Sequence, residues 1–356
     1  MKPPKEFLGY LHSFRGFAIL NIVFIHAVVA AVIGSNNNEF DLTNPVAIIN
    51  EVLFHDSTIY FAIISGLLFS AILQKRGYQK FYLSKLRYVV LPYLFITLVV
   101  TASKWAGGSI SEQNGFMDFL STLGRDFLFG KANGLYWYIP VLFFLYLVTP
   151  LLAYLQRNQN TGKVLTLLII LAPLLVTRVQ MAFDYILSLQ TMIYFTGAYA
   201  LGMLMGQNLE QSLERINKYR QPLLIITLVT TLTLLLLYIS ESDMLGPVSL
   251  RESLFYLQKS CLSALLILAF YRLGDRQPQW LHALAKDSFG IYFIHGFVVF
   301  GTLSWFTFVL GMKSISPFHT IIGSVLITAF AITISMLVIR LFRLIFKKKS
   351  RMFIGS

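Results

Sequence analysis

Two polar residues interrupt a hydrophobic stretch near the start of the chain, SFRGFAILNIVFIHA (residues 13–27). Arg15 and His26 are eleven residues apart, so a helix would place both on one face, about 16 Å apart along its axis. A guanidinium can bind phosphates bidentately. An imidazole can act as a general base or take an acyl group, because it titrates near neutral pH. The spacing predicts a site for a long donor whose phosphates lie at one end and whose reactive group lies deeper.

Each of these residues also has a structural interpretation. Arg15 could be an interfacial anchor whose side chain extends to the lipid headgroups. His26 could form a hydrogen bond between helices. An ionisable residue this deep in a hydrophobic helix is energetically costly, however, and by default indicates a functional site. We therefore favour a functional role for His26, and both interpretations of Arg15 stay open.

The composition places this helix in a membrane protein. Of the 356 residues, 56% are hydrophobic and 13% are charged, about half the charged fraction of a soluble protein. Hydrophobic segments of about 20 residues recur along the chain, and in lipid each must be a helix. We predict an all-α polytopic membrane protein, a bundle of about ten transmembrane helices in a single domain, residues 1–356. The predicted segments are 14–34, 52–73, 88–103, 134–155, 164–182, 190–207, 222–240, 254–272, 289–311 and 319–345.

The charged residues between these segments predict the orientation. Lysine and arginine concentrate in three loops and the C-terminal tail, at 74–87, 208–221, 273–288 and 347–351. By the positive-inside rule, these regions and both termini are cytoplasmic. The net charge of +13 is then an orientation signal and a contact with membrane lipids, and it does not indicate nucleic-acid binding. We predict no metal site, because cysteine and histidine residues with zinc-ligand spacing are absent.

The opening stretch resembles the first helix of the acyltransferase-3 family of integral-membrane acyltransferases, whose hallmark is an arginine followed eleven positions later by a histidine. Four further segments are similar to helices of that family and follow in the same order. They are IYFAIISGLLF (59–69), KFYLSKLRYVVLPYL (80–94), LYWYIPVLFFLYLVTPLL (135–152) and DSFGIYFIHGFVV (287–299). The resemblance therefore extends along most of the chain.

This resemblance implies transfer of an acyl group, usually acetyl, from cytoplasmic acyl-CoA to a hydroxyl, often on a cell-envelope glycan or glycolipid. By that analogy, Arg15 helps to hold the donor and His26 is the catalytic centre. Acetyl-CoA would be a co-substrate, so no tightly bound cofactor is expected. The expected location is a bacterial cytoplasmic (inner) membrane, and the sequence leaves the formation of a homo-oligomer open.

Four residues are additional candidates for donor binding. Ser288, Tyr292 and His295 share one helix face, where they line an acyl-CoA tunnel or form a hydrogen-bonded cluster between helices. Arg87 either contacts the CoA phosphates or only sets the membrane topology, and topology is favoured.

Acceptor binding has three candidates. His55 and Asp56, predicted at the outer end of the second segment, could face the acceptor, orient His26 or be ordinary polar loop residues. Trp137 could bind a sugar, although an interfacial aromatic belt explains it better. An acid that orients His26 is not evident inside any segment. The acids predicted near the outer interface are Glu51, Asp56, Asp184 and Glu241.

The alternative function is transport, for example by a flippase of a lipid-linked sugar or a proton-coupled carrier. A transporter would also place ionisable residues inside a helical bundle. Against it, the sequence contains neither a repeated half nor a pair of interrupted helices in corresponding positions.

Overall fold

A computed structural model of the chain describes residues 5–35, 43–110, 115–158, 160–178, 180–181, 184–185, 187–245, 247–310 and 317–356. In these ranges the α-helices are α1 (Lys5–Ser35), α2 (Pro45–Phe54), α3 (Thr58–Leu68), α4 (Tyr78–Lys85), α5 (Leu91–Ala106), α6 (Phe116–Phe129), α7 (Tyr138–Arg157), α8 (Thr161–Leu171), α9 (Leu189–Gln207), α10 (Leu209–Lys218), α11 (Arg220–Ile239), α12 (Leu250–Leu273), α13 (Gln279–Leu310), α14 (Pro317–Phe346) and α15 (Ser350–Ile354). Two antiparallel hairpins pair β1 (Gln180–Met181) with β2 (Asp184–Tyr185) and β3 (Met244–Leu245) with β4 (Val248–Ser249).

Eight helical stretches in the described residues are long and apolar enough to cross a membrane. They are Gly9–Gly34, Pro45–Arg76, Tyr78–Ala106, Tyr138–Arg157, Arg220–Ile239, Leu250–Arg276, Gln279–Thr302 and Pro317–Phe346. Each coincides with one of the predicted segments. The prediction of an all-α polytopic membrane protein is confirmed.

The fifth and sixth predicted segments also contain helices, but of a different character. α8 and the 3-10 turn that follows it end at Leu175, which is short for a bilayer crossing. α9 is long enough but includes several glycine, tyrosine and glutamine residues, and most of it is buried. That these two helices cross the membrane stays a prediction.

The second segment begins earlier than predicted and contains a break. Asn44 caps α2, its side-chain oxygen accepting a hydrogen bond from the Val46 backbone N–H at 2.9 Å, and Pro45 occupies the first turn. Residues 55–57 form a turn, after which α3 continues the span. His55 and Asp56 therefore lie at a break within the candidate span Pro45–Arg76 and not at its first residues. Their position at the outer membrane interface stays a prediction.

The described residues form two compact units that alternate along the sequence. The first unit comprises Met1–Ile64 and Leu209–Leu341, and the second comprises Ser65–Asn208 and Phe342–Ser356. Arg15, His26 and the ninth segment belong to the first unit.

In the first unit, α1 and α13 pack against each other in parallel. The backbones come closest at Gly16, where a Cβ atom would lie 2.1 Å from the Leu281 carbonyl oxygen. Further along the same helices, the His26 and His295 rings meet. From the first contact to the second, the residue numbers rise on both helices, so α1 and α13 run in the same direction. The predicted topology also requires this, because the first and ninth spans cross the membrane in the same direction.

The span formed by α2 and α3 packs antiparallel to α1. Val46 lies in the same apolar cluster as Val32, whereas Tyr60 packs its ring 5.6 Å from that of Phe14. Between these contacts, the Asn50 side-chain amide donates to the Ile25 carbonyl at 3.3 Å. The break after Phe54 is therefore close to the level of His26 on α1.

Small residues also set helix contacts in the second unit. A Cβ atom at Gly66 would lie 2.1 Å from the Tyr199 carbonyl oxygen, and one at Gly206 would lie 2.4 Å from that of Leu67. Gly66 and Gly206 therefore permit close helix packing in this unit.

The close contact at Gly16 predicts that Gly16→Ala separates α1 from α13. A methyl group cannot be accommodated there without moving one backbone, so we expect the free energy of unfolding to fall by about 1–3 kcal/mol. Thermal unfolding of the purified protein in detergent measures the change. Gly323→Ala is the control, because a Cβ atom at Gly323 meets nothing within 4 Å. Equal melting temperatures for the two variants would contradict this description of the contact.

Candidate active site

Arg15 and His26 lie on one uninterrupted helix, α1, and both are half-buried. His26 keeps part of its surface accessible, whereas its neighbours Val23 and Ala27 are fully buried. A ligand can reach an imidazole only if part of it is accessible, so this exposure is compatible with a functional role.

The His26 ring lies beside the ring of His295, on α13. The two ring centroids lie 5.5 Å apart, with an angle of 33° between the ring planes. His295 is fully buried, and its Nδ1 lies 3.0 Å from the Ile291 carbonyl oxygen and 2.9 Å from that of Tyr292. The structure therefore joins the first and ninth predicted segments at two histidines.

The other two residues on this face of α13 are also buried. The Ser288 hydroxyl donates to the Ala285 carbonyl at 3.0 Å, so it is satisfied within its own helix. The Tyr292 ring centroid lies 6.1 Å from that of His295. His295 is thus the member of this set that the structure places beside His26, and donor binding by Ser288 and Tyr292 stays a prediction.

A polar cluster that the sequence reasoning missed lies at the Arg15 end of α1. His282 Nε2 is 3.0 Å from Ser13 Oγ and 3.2 Å from Gln277 Oε1. The exposed His12 has its ring centroid 6.1 Å from that of His282. The signal was available, because His12 and Ser13 precede Arg15 within one helical turn. This cluster therefore places two histidines and a hydroxyl at the same end of α1 as Arg15.

The break between α2 and α3 holds a second group of ionisable residues. His55 Nδ1 pairs with Glu51 Oε2 at 2.6 Å, and His55 Nε2 lies 3.8 Å from Asp56 Oδ1. Asp56 has a positive φ of 57°, a backbone conformation that tolerates Asp better than most residues. The Ser57 hydroxyl donates to the Phe54 carbonyl at 2.6 Å and so satisfies one end of the break.

Lys259 on α12 completes this group, and sequence reasoning missed it. Its ammonium is fully buried and donates to the Leu53 carbonyl and to Gln258 Oε1, both at 2.7 Å. The Gln258 amide in turn donates to the Val52 carbonyl at 3.2 Å. Both side chains thus cap the end of α2, where backbone carbonyls lack helical partners. A lone lysine in a hydrophobic segment was a signal for such a role.

The acid expected to orient His26 is not evident in the structure. Glu51 is paired with His55, and Glu241 is exposed at the end of α11. The side chain of Asp184 lies outside the described residues. Within the described part of the chain, no ion pair joins His26 to a carboxylate, and its ring lies beside that of His295.

Arg87 and Trp137 belong to the second unit. Arg87 is exposed in a π-helix at Leu86–Val90. Trp137 is half-buried, with its ring centroid 5.5 Å from that of Phe195 and 5.8 Å from that of Tyr138. This environment supplies a packing role for Trp137, and contacts of either residue with donor or acceptor stay predictions.

Comparison with known proteins identifies the class of protein. A family model described as an acyltransferase domain matches residues 8–340, which include both Arg15 and His26. The chain belongs to the acyltransferase-3 family and is a multi-pass membrane acyltransferase. Neither the comparison with curated proteins nor that with solved structures gave a match.

The contacts of Lys259 predict that Lys259→Met destabilises the first unit. The substitution leaves the Leu53 carbonyl and the nearby carboxylates without their buried cation, so we expect a loss of about 3–5 kcal/mol in the free energy of unfolding. Thermal unfolding measures it, with Lys75→Met as the control because Lys75 is exposed. An unchanged melting temperature for Lys259→Met would show that the lysine does not stabilise the break.

Proposed function

We propose that this acyltransferase moves an acyl group, acetyl in the first instance, from cytoplasmic acyl-CoA to a hydroxyl of a cell-envelope glycan or glycolipid. The observation that carries the proposal is the accessible position of His26 within a membrane span, on the same helix as Arg15. Membership of the acyltransferase-3 family supports acyl transfer and disfavours the transporter alternative. We further propose that the protein lies in a bacterial cytoplasmic membrane.

Arg15 is the proposed contact for the phosphates of CoA. Its Cα atom lies about 16 Å along the axis of α1 from that of His26, so a donor held there by its phosphates would extend its thioester arm toward the histidine. His12 and His282 lie at the same end of α1 and are further proposed contacts for the phosphates. The uncharged thioester, and not the phosphates, would then enter the low-dielectric part of the membrane.

His26 is the proposed catalytic residue. One imidazole nitrogen removes the acceptor's hydroxyl proton while the oxygen attacks the thioester carbonyl and the new C–O bond forms. The C–S bond breaks, and the CoA thiolate takes the proton from His26. The alternative is attack by His26 itself to form an acyl-histidine, which water or the acceptor hydroxyl then resolves. Ping-pong kinetics would indicate the second route, and a ternary complex the first.

His26→Ala is expected to abolish acyl transfer, lowering the rate by about 10²–10⁴-fold, because it removes the general base or nucleophile. Mass spectrometry of envelope glycans from cells that express wild type or variant measures the transferred group and identifies the acceptor. Thiol release from acetyl-CoA by purified protein measures the reaction directly. His319→Ala is the matched control, since His319 is exposed on α14.

If wild-type protein neither releases thiol from acetyl-CoA nor changes the envelope glycans, the proposed function is wrong. Glycans that become relocated across the membrane without gaining an acyl group would instead support transport.

Arg15→Ala is expected to raise the KM for acetyl-CoA by about 10–100-fold with a smaller change in kcat, because a charge-assisted hydrogen bond to phosphate contributes about 1.5–3 kcal/mol. Arg15→Lys should recover part of this loss, since it keeps the charge but not the bidentate geometry. Arg125→Ala, at an exposed position of α6, is the control. An unchanged KM for Arg15→Ala would leave Arg15 as an interfacial anchor only.

A further inference from the structure

The hydrogen bonds of His295 determine which of its nitrogens carries a proton. Nδ1 lies within hydrogen-bond distance of two backbone carbonyl oxygens, those of Ile291 and Tyr292. A carbonyl can only accept a hydrogen bond, so Nδ1 must be the N–H of the ring. In the neutral imidazole, Nε2 then carries the lone pair and can act only as an acceptor.

This lone pair is buried and unused. The His295 side chain is fully buried, and Nε2 has no hydrogen-bond partner in the described residues. Buried polar atoms are nearly always hydrogen-bonded, and a buried atom that lacks a partner requires an explanation. The α13 backbone holds the ring in place, so the acceptor has a fixed position.

The two histidines lie in a defined order. His26 retains accessible surface, whereas His295 has none, although their ring centroids are only 5.5 Å apart. A substrate would therefore reach His26 first, with His295 behind it. The χ2 torsion of a histidine is broad, so a rotation of the His26 ring can direct an N–H toward the Nε2 lone pair.

We propose that His295 is a positioning residue that accepts a hydrogen bond from the His26 ring during acyl transfer, in the place that a carboxylate occupies in catalytic triads. This inference rests on the proposed function, in which His26 is the catalytic residue. In the described part of the chain no carboxylate pairs with His26, so no acid there already accepts a hydrogen bond from its ring.

The hydrogen bond fixes which His26 nitrogen faces the substrate. With one N–H held by His295, the other nitrogen carries the lone pair that takes the acceptor's hydroxyl proton. His26 is then an imidazolium whose second N–H remains on His295 Nε2. When the C–S bond breaks, the thiolate takes the proton from the substrate-facing nitrogen, and both histidines return to their neutral forms. No proton is gained or lost over the cycle.

Two substitutions separate this role from ordinary packing. In His295→Asn the amide N–H₂ can replace Nδ1, but no atom occupies the place of Nε2. In His295→Gln the longer side chain can place its carbonyl oxygen near Nε2, where it accepts a hydrogen bond. We expect His295→Asn to lower kcat for thiol release from acetyl-CoA by about 10²-fold, with KM changed by less than about threefold, and His295→Gln to recover at least about tenfold of this loss.

The outcomes distinguish this inference from the proposed function. If the wild-type protein neither releases thiol from acetyl-CoA nor acylates the envelope glycans, the proposed function is wrong. If His26→Ala is as active as wild type, the catalytic role of His26 is wrong and the role of His295 fails with it. If His26→Ala is inactive but His295→Asn has wild-type kcat, only the role of His295 is wrong. If folded His295→Gln is no more active than His295→Asn, the lone pair is not the feature that matters.

A measurement on the wild-type protein tests the tautomer without activity. In protein labelled with [15N]histidine, the His295 signals, assigned by their loss in His295→Gln, should show a protonated Nδ1 and an unprotonated Nε2. A proton on Nε2 of the resting protein would overturn the inference, whether or not the Asn variant folds.

Discussion

The parallel contact between α1 and α13 is the constraint on which the candidate active site depends. At Gly16 the helix backbones approach so closely that a Cβ atom would lie 2.1 Å from the Leu281 carbonyl oxygen. In a membrane, close approach of this kind replaces the hydrophobic effect as the source of helix association, because lipid tails are as apolar as the side chains. Two rigid helices that are in register at Gly16 stay in register further along, so the same contact brings His295 to His26.

The break in the second span shows how the first unit satisfies backbone groups that lipid cannot. Carbonyls released at the end of α2 have no water partners at this depth, and each would be destabilising by several kcal/mol if left alone. Lys259 and Gln258 from α12 donate to two of them. The ammonium in turn lies near the carboxylates of Glu51 and Asp56, whose negative charge attracts it. The ionisable residues of the break thus stabilise one another and need not all be catalytic.

The sequence predicted the helical class, most spans and the separation of Arg15 from His26, because hydrophobic periodicity and helical rise are local properties. The start of the second span was predicted too late, although Asn44 followed by Pro45 is a typical helix start. The break within that span was not predicted. The pairing of His26 with His295 could not be predicted, since it depends on the register between two helices more than 250 residues apart in sequence. Lys259 was recognisable as an isolated charge, but its carbonyl partners were not.

The absence of a carboxylate beside His26, within the residues that the structure describes, has a physical rationale. A permanent negative charge at this depth would be costly to bury and would require its own cation, as Glu51 and Asp56 do with Lys259. A neutral imidazole avoids that requirement. The His295 ring is uncharged in the resting protein, yet its Nε2 can accept a hydrogen bond from an N–H of His26 when His26 becomes cationic. With His295 as the partner, the two imidazoles carry a positive charge only while the proton is in transit between acceptor and thiolate, when the reacting oxygen or sulfur carries the matching negative charge. The resting site is uncharged and so is compatible with the membrane interior.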